Sequence, residues 1–533
     1  MTTADGPVTD PPPGSAGDAP PRTKDAASRT ATFKGARWLD ERLGGAKFAR
    51  TALNKVFPDH WSFMLGELVL YSFVVLILTG VYLTFFYVPS TEMVVYEGSY
   101  VALQDVEMTA AYQSTLEISF DVRAGLLMRQ MHHWAALLFV AVMVVHMGRV
   151  FFTGAFRKPR ELNWIVGVTL LTLAIFNGFA GYSLVDDQLS GTGLRIAYSI
   201  ALSIPLVGTW ITSLLFGGEF PGPDIIERLY VIHILLLPAL IALLIGAHLY
   251  MVVRQKHTQF PGPGRREDNV VGEAMFPTYA AKATGLFFLT VAVLCLLGGL
   301  VQINPIWIYG PFEPAEVSAA SQPDWYMAWL DGALRIFPGW ELRLFGFEVP
   351  NPFFPGVLLA GVVFGLLYAW PFLEARVTGD HATHHLNDRP RQRPVRTAIG
   401  VGAMAFYAVL FGGGATDVLA TTFGLSVNAV VWGFRVAVIV LPVVAGWMAY
   451  RLCVELSARE GVPTASKVHW REIPGRLRHG AGGPNGAEPA GTSGAAGGGR
   501  HDTDDGHDDT EPAVVPGVEE PVSAGREDGV DGR

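Results

Sequence analysis

Cysteine is nearly absent: Cys295 and Cys453 are the two present in 533 residues. Two thiols cannot build a disulfide framework or the ligand set of an iron–sulfur cluster. No C-x-x-C-H attachment sequence exists, so any metal must be held by histidine and any haem bound non-covalently. Charge is sparse too, at 16% of residues against 50% hydrophobic. A soluble domain carries about 25% charged residues, so that class is excluded. Residues 1–33 lack an apolar core, and nothing there resembles a cleaved export signal. Residues 480–533 hold no aromatics and much Gly, Asp and Glu, the composition of a disordered tail. The net charge of −9 owes much to that tail.

What is abundant is long apolar sequence. A helix needs about 20 apolar residues to cross ~30 Å of hydrocarbon. Eight such runs occur, at about 64–87, 131–153, 163–184, 230–253, 283–302, 354–374, 397–413 and 429–452. The stretch 195–216 is also apolar, but Ser203, Pro205 and Gly208 interrupt it, so surface-lying helices are expected there. The expected fold is an all-α integral membrane protein of eight transmembrane helices. Its segments are an N-terminal piece at 1–49, a four-helix core at 50–260, a four-span region at 261–453 with a loop at 303–353, and a tail at 454–533. Basic residues gather in alternate loops: Arg149, Arg157, Lys158 and Arg160, then Arg254, Lys256, Arg265 and Arg266, then Arg376, Arg389, Arg391, Arg393 and Arg396. The opposite loops differ: 90–122 has six acids and no Lys or Arg, and the loop after the seventh run holds only Asp417. Basic loops stay inside, so both termini are expected in the cytoplasm.

Four histidines stand out against this apolar background. His132 and His146 lie 14 residues apart in the second run, and His233 and His248 lie 15 apart in the fourth. At about 1.5 Å and 100° per residue, either spacing is roughly four turns and ~21–22 Å. Facing each other, the two helices could clamp two stacked metal centres by bis-histidine ligation, and the first four helices are expected to form a bundle around two b haems. His132 and His233 lie toward the outside, His146 and His248 toward the cytoplasm. Packing explains one intramembrane histidine and a proton path explains a pair; two pairs at matching spacing point to ligation. His133 points about 100° away from His132 and finds Met147 where a partner would stand, so it is assigned to packing. Glycine repeats the spacing: Gly66 and Gly80 on the first span, Gly167 and Gly181 on the third. A helical glycine costs ~1 kcal/mol relative to alanine; here the missing side chains would let flat macrocycles approach the backbone. Ordinary small-residue helix packing is the alternative.

These residues resemble cytochrome b of the cytochrome bc1 and b6f quinol oxidoreductases, over about 50–452. Carrying the resemblance are the four histidines, the four glycines, Arg129 and Arg149, and Pro323-Asp324-Trp325-Tyr326, similar to the family's Pro-Glu-Trp-Tyr motif. The resemblance implies a low-potential haem on His132 and His233 and a high-potential haem on His146 and His248. Arg129 and Arg149 would pair with haem propionates, a geometry guanidinium suits. Asp324 would accept a quinol proton, on an arm one methylene shorter than the family's Glu, and Tyr326 would hydrogen-bond within the site. Arg254, Lys256, His257 and Lys282 would serve a quinone-reducing site near the cytoplasm. Lys282 looks like the family's Lys there, with Ala283 where mitochondrial proteins have Asp. The spacing of 15 and Pro238 look like b6f, whereas the unsplit eight-span chain looks like bc1. Met64 stands where b6f carries the cysteine for an extra haem, so no third haem is expected. This mixture resembles the actinobacterial branch, which implies a bacterial cell membrane, menaquinol as substrate and a supercomplex with cytochrome aa3 oxidase.

The function so implied is that of the di-haem subunit of a respiratory quinol–cytochrome c oxidoreductase. One electron would leave quinol for a Rieske iron–sulfur subunit, and the other would cross the membrane to a quinone, contributing to proton-motive force. Partners would be the Rieske subunit, a cytochrome c subunit, a second copy of the complex and membrane lipid, with no nucleic acid. A haem-b anchor of a quinone-linked dehydrogenase is a rival that would lack the Pro-Asp-Trp-Tyr loop. A histidine-relay transporter is another, but transporters commonly show repeated halves and none is visible. Asn177 receives no role beyond an interhelical hydrogen bond. His381, His384 and His385 lack matching ligands elsewhere and read as a solvated cytoplasmic loop.

Overall fold

The computed structural model describes residues 31–43, 50, 53–316, 322–344 and 346–461. All of these fall in the first of two units, 1–478 and 479–533. The expected tail beyond 461 and the start of the N-terminal segment lie outside the described residues.

Among the described residues eight helices are long and apolar enough to cross a membrane, and they fall on the eight expected runs. We label them with the shorter helices between them. They are α1 Trp61–Thr84, α2 Ala110–Phe120, α3 Gly125–Phe152, α4 Glu161–Ser183, α5 Gln188–Leu202 and α6 Gly208–Phe216. Then follow α7 Ile225–Gln255, α8 Met275–Leu300, α9 Trp325–Ile336, α10 Phe354–Thr378, α11 Pro394–Gly413 and α12 Val427–Arg459. Several helices run past their apolar runs, because a helix can continue into polar sequence at a membrane edge. Thus α3 starts six residues early and takes in Arg129 and Gln130, and α12 ends at Arg459. The interrupted stretch forms the two short helices α5 and α6. At their junction a Cβ on Gly208 would stand 2.3 Å from the Leu202 carbonyl oxygen, so only glycine fits.

One irregularity matters for the site. Residues Ile232–Leu236 of α7 form a π turn. Pro238 has no N–H to give the carbonyl four residues back. Just before it the chain closes a wider ring, with the Leu237 N–H donating to the Ile232 carbonyl.

Helix α1 packs on α3 and α7 packs on α4, while α3 meets α4 and α8 lies against α1 and α3. At the centre of this bundle Phe139, Val140 and Met143 of α3 meet Leu170, Leu171 and Ala174 of α4 and Ile241 of α7. In sequence this core falls between the two histidines of α3 and between the two of α7, so apolar packing separates the two histidine levels. Outward faces are apolar: Ile439 is 71% and Val443 69% exposed on α12. In hydrocarbon that exposure carries no penalty, and helices associate there through close packing and hydrogen bonds instead. Among the described residues three two-stranded antiparallel ladders sit in the connections. One, Val56–Phe57 with Glu273–Ala274, ties the approach to α1 to the approach to α8. The others pair Met93–Val95 with Glu107–Thr109 and Leu342–Leu344 with Phe347–Val349.

Candidate functional site

His132 of α3 and His233, in the π turn of α7, face each other with ring centroids 6.1 Å apart. Each has its Nδ1 engaged. The His132 Nδ1 shares a 2.9 Å hydrogen bond with the Thr79 hydroxyl. The His233 Nδ1–H donates to the Asn177 carbonyl at 2.9 Å. With Nδ1 so engaged, the Nε2 atoms are the ones that could serve as ligand atoms, the way metal-binding imidazoles are commonly oriented. Metal–imidazole bonds run about 2.0–2.1 Å, so the 6.1 Å gap has room for one ion between the rings. Asn177 therefore has a part through its backbone carbonyl, which side-chain pattern does not reveal.

The glycines lie against the histidines themselves. A Cβ on Gly181 would stand 2.3 Å from His233 Cε1, and one on Gly80 3.2 Å from His132 Cε1. On the other level, Gly66 and Gly167 face His146 and His248 at 3.5 and 3.9 Å. Each glycine faces one of the four histidines and leaves space for its imidazole.

Arg129 is buried and Arg149 half-buried, and both have idle buried donors. Arg129 gives its Nε–H to Ser119 Oγ at 3.1 Å, while its Nη2 is buried without a partner. Arg149 lies 4.1 Å over the Phe63 ring, with Nε and Nη2 buried and unpartnered. The His146 Nδ1 is likewise buried and unpartnered. Paired imidazoles beside buried guanidinium donors fit a metal macrocycle bearing carboxylates.

A cavity of about 490 Å³ is lined by Gly80, Arg129, His132, Gly181 and His233, and equally by His133, Asn304, Asp324 and Tyr326. His133 is not a packing residue. Its Nε2–H donates to Asp324 Oδ1 at 2.9 Å, so the earlier assignment is corrected. The Tyr326 hydroxyl donates to Asp324 Oδ2 at 3.2 Å, and Asn304 Nδ2 approaches Oδ1 at 3.5 Å. Asp324 stands half-buried at the N-terminus of α9, its side chain 9% exposed. Burial and the neighbouring Asp324 push the Tyr326 phenol well above its usual range, so it stays a neutral hydroxyl. Trp325 packs against the central core, and Pro323 lines a smaller adjoining cavity of about 70 Å³.

At the His146 and His248 end the four expected quinone-site residues separate. Arg254 and Lys256 are exposed. His257 turns inward, its ring 4.8 Å from Phe57 and its Nε2 buried without a partner. Burial first, then Lys55, Arg160 and Arg149, hold its imidazole down at about 3, so it is uncharged at neutral pH. Lys282 pairs with Glu273 at 2.9 Å and Asp59 at 3.3 Å. His384 and His385 are tied down rather than solvated, which corrects that expectation: His384 bonds Asp380 at 2.9 Å and His385 bonds Arg160 at 2.8 Å. Among the described residues no group of three or more His, Cys, Asp or Glu could hold a bare metal ion.

The sequence profile of the family described as Cytochrome b(N-terminal)/b6/petB matches residues 137–311. A Streptomyces coelicolor protein named cytochrome bc1 complex cytochrome b subunit is 52% identical over 447 residues, covering 84% of this chain and 82% of its own. A Mycobacterium tuberculosis protein of the same name is 53% identical over 444 residues, covering 83% and 80%. The chain belongs to the cytochrome b family of bc1 complexes. A Corynebacterium diphtheriae cytochrome b of that name is 52% identical over 418 residues, covering 78% and 77%. A solved hyperthermophilic respiratory Complex III shares the fold, with TM-score 0.57 and 21% identity over 78% of this chain and 100% of that one. As a cytochrome b, the chain is an integral membrane subunit of a respiratory quinol–cytochrome c reductase and binds haem b. Neither a dehydrogenase anchor nor a transporter accounts for this membership.

Proposed function

We propose that this cytochrome b holds two haems, on His132 with His233 and on His146 with His248, with Arg129 and Arg149 on their propionates. We place quinol oxidation at Asp324 and quinone reduction at the opposite end, beside His257 and Lys282. The observation that carries this reading is the shared cavity: its walls include both the His132–His233 pair and the Asp324 cluster. A quinol bound there would lie beside an electron acceptor and a proton acceptor together. When bound, the haems supply one-electron transfer between the two faces.

The chain's own residues do the rest. His133, Tyr326 and Asn304 point donors at the Asp324 carboxylate and fix its aim. The shorter Asp arm is thus braced by three neighbours, and proton acceptance by such a held base suits general-base catalysis. At the other end, the uncharged His257 offers an unpartnered Nε2, and Lys282 a cation. The charge bias of the loops supports a cytoplasmic location for this end and for both termini. The quinone is menaquinone, and the membrane is that of a bacterial cell. Quinol gives up two electrons singly, so a second acceptor is needed; with only two cysteines this chain cannot supply the cluster of a Rieske subunit. The further partners are a cytochrome c subunit, a second copy and an aa3 oxidase.

Reduced-minus-oxidised spectra of the purified complex test the ligand sets. His233→Ala and His146→Ala should each remove one b-type haem and spare the other. Retention of both haems in His146→Ala would refute the assignment.

A further inference from the structure

The cavity holds a second acid that the proposed chemistry leaves unused. Asp187, between α4 and α5, is 3% exposed and lines the same space as Asp324 and Arg129. One of its oxygens is committed: Oδ1 accepts the Ser190 N–H at 2.8 Å and caps α5. A helix cap needs an acceptor but no acid, since Asn and Ser serve about as well as Asp. Tyr182 lines the cavity too and lies within electrostatic reach of both Asp187 and Asp324. Behind Asp187, Asp186 is also buried, and its Oδ2 accepts the Thr109 hydroxyl at 2.7 Å. The two carboxylates therefore follow one another from the cavity wall toward the 93–109 ladder.

We propose that Asp187 is the proton relay of this cavity, receiving from Asp324 the proton taken from quinol and passing it to the outer aqueous side. The inference rests on reading the cavity as the quinol-oxidising site. In the step, a quinol O–H bond breaks and its proton joins the Asp324 carboxylate, while the electron leaves to the acceptors of the complex. The proton then moves to Asp187, by Tyr182 or by water, and Asp324 returns to its charged form. Asp187 releases the proton outward and is itself restored, so neither acid is consumed. A cavity of about 490 Å³ is far above the ~10–15 Å³ that one water requires.

The surroundings suit a carboxyl that exchanges protons. Arg129, Asp186, Tyr112, Tyr182 and Tyr309 are the charged and titratable groups around Asp187. Burial raises its carboxyl to about 6, against the opposing pull of the Ser190 bonds and Arg129. That lies near neutral pH, where transfer in both directions is easy.

The experiment is stopped-flow quinol oxidation by the intact complex carrying Asp187→Asn, Asp187→Ser or Asp187→Glu, followed across pH. Asn and Ser keep the cap and remove the acid; Glu keeps an acid. The expected result is a slowing of about tenfold or more in Asp187→Asn and Asp187→Ser, the lower range for lost acid–base help. Both should also lose the inflection of the pH profile near 6, with unchanged melting temperature and haem spectrum. Asp187→Glu should recover much of the rate and the inflection. A purely structural residue would shift the melting temperature and leave the pH profile alone. An unchanged profile in Asp187→Asn, or equal loss in all three variants, overturns the relay. Asp324→Asn is the control for the site itself. If it too oxidises quinol at full rate, the reading of the cavity fails; if it is slow while Asp187→Asn is normal, only the relay fails.

Discussion

Replacing Gly181 with alanine places a methyl group where the His233 imidazole already stands. The added Cβ would lie 2.3 Å from Cε1, 2.8 Å from Nε2 and 2.9 Å from Nδ1. Ordinary contact begins at 3.4 Å, so the ring must retreat by about 1 Å. It has no slack for this, because its Nδ1–H holds the Asn177 carbonyl at 2.9 Å. A retreat of that size stretches the bond toward ~4 Å, beyond hydrogen-bonding range. Losing such an orienting partner typically costs about 10–100-fold in metal affinity, or about 1.4–2.8 kcal/mol. Alanine's better helix propensity, worth about 1 kcal/mol relative to glycine, acts on the backbone and cannot restore the ligand geometry. Gly167 provides the contrast. Its added Cβ would sit 3.9 Å from His248, in ordinary contact. Haem content and reduced-minus-oxidised spectra of the two variants, purified in mild detergent, decide the matter. Gly181→Ala should lose the haem of the His132–His233 pair, and Gly167→Ala should keep both. Equal losses in the two variants would refute the reasoning and return the glycines to macrocycle clearance.

Asp324→Asn should slow quinol oxidation by about 10²–10⁴-fold, the usual worth of a general base. His133→Gln, which removes the 2.9 Å brace but keeps the acid, should slow it less, and a loss equal to that of Asp324→Asn would count against this division of roles. At the other end of the bundle, Asp388 takes Arg396 at 2.9 Å, Arg393 at 3.1 Å and Arg157 at 3.3 Å, with only Glu374 as a further acid on Arg396. Asp388→Asn strands buried guanidinium charge and should cost about 3–5 kcal/mol, read as a clear drop in melting temperature. The three arginines hold the Asp388 carboxyl well below its usual range despite burial. Its stabilising share is therefore complete above about pH 4 and lost as pH falls below that; Asp388→Asn should flatten this acid limb.

The spans are legible in the sequence because hydrocarbon imposes length and apolarity on them, and no tertiary contact is needed to see either. The four histidines are legible because a buried imidazole is costly and its repeat is rare. His133 escapes for a physical reason: helical geometry turns it away from the metal layer, and its partner lies 191 residues further on. Asn304 and Asp187 escape likewise, since a loop gives no periodicity to read. Arg254 and Lys256 are exposed, and loop charge alone cannot separate a site residue from a topology marker.

The unequal histidine spacings show how local chemistry can cancel an apparent misfit. In a regular helix, 14 residues fall about 40° short of four turns and 15 overshoot by about 60°. With His132 and His233 facing, His146 and His248 would then be out of register by roughly 100°. The π turn at Ile232–Leu236 takes up one residue more than an α turn. It does so around His233, and so brings the longer spacing back toward the equivalent of the shorter. Pro238 follows this ring directly: it cannot make the α-helical bond to the Ile234 carbonyl, while the ring itself is closed by the Leu237 N–H on the Ile232 carbonyl. The π turn beside that proline thus lets helices of unequal spacing bring His132 and His233 together while His146 and His248 stay within electrostatic reach of each other.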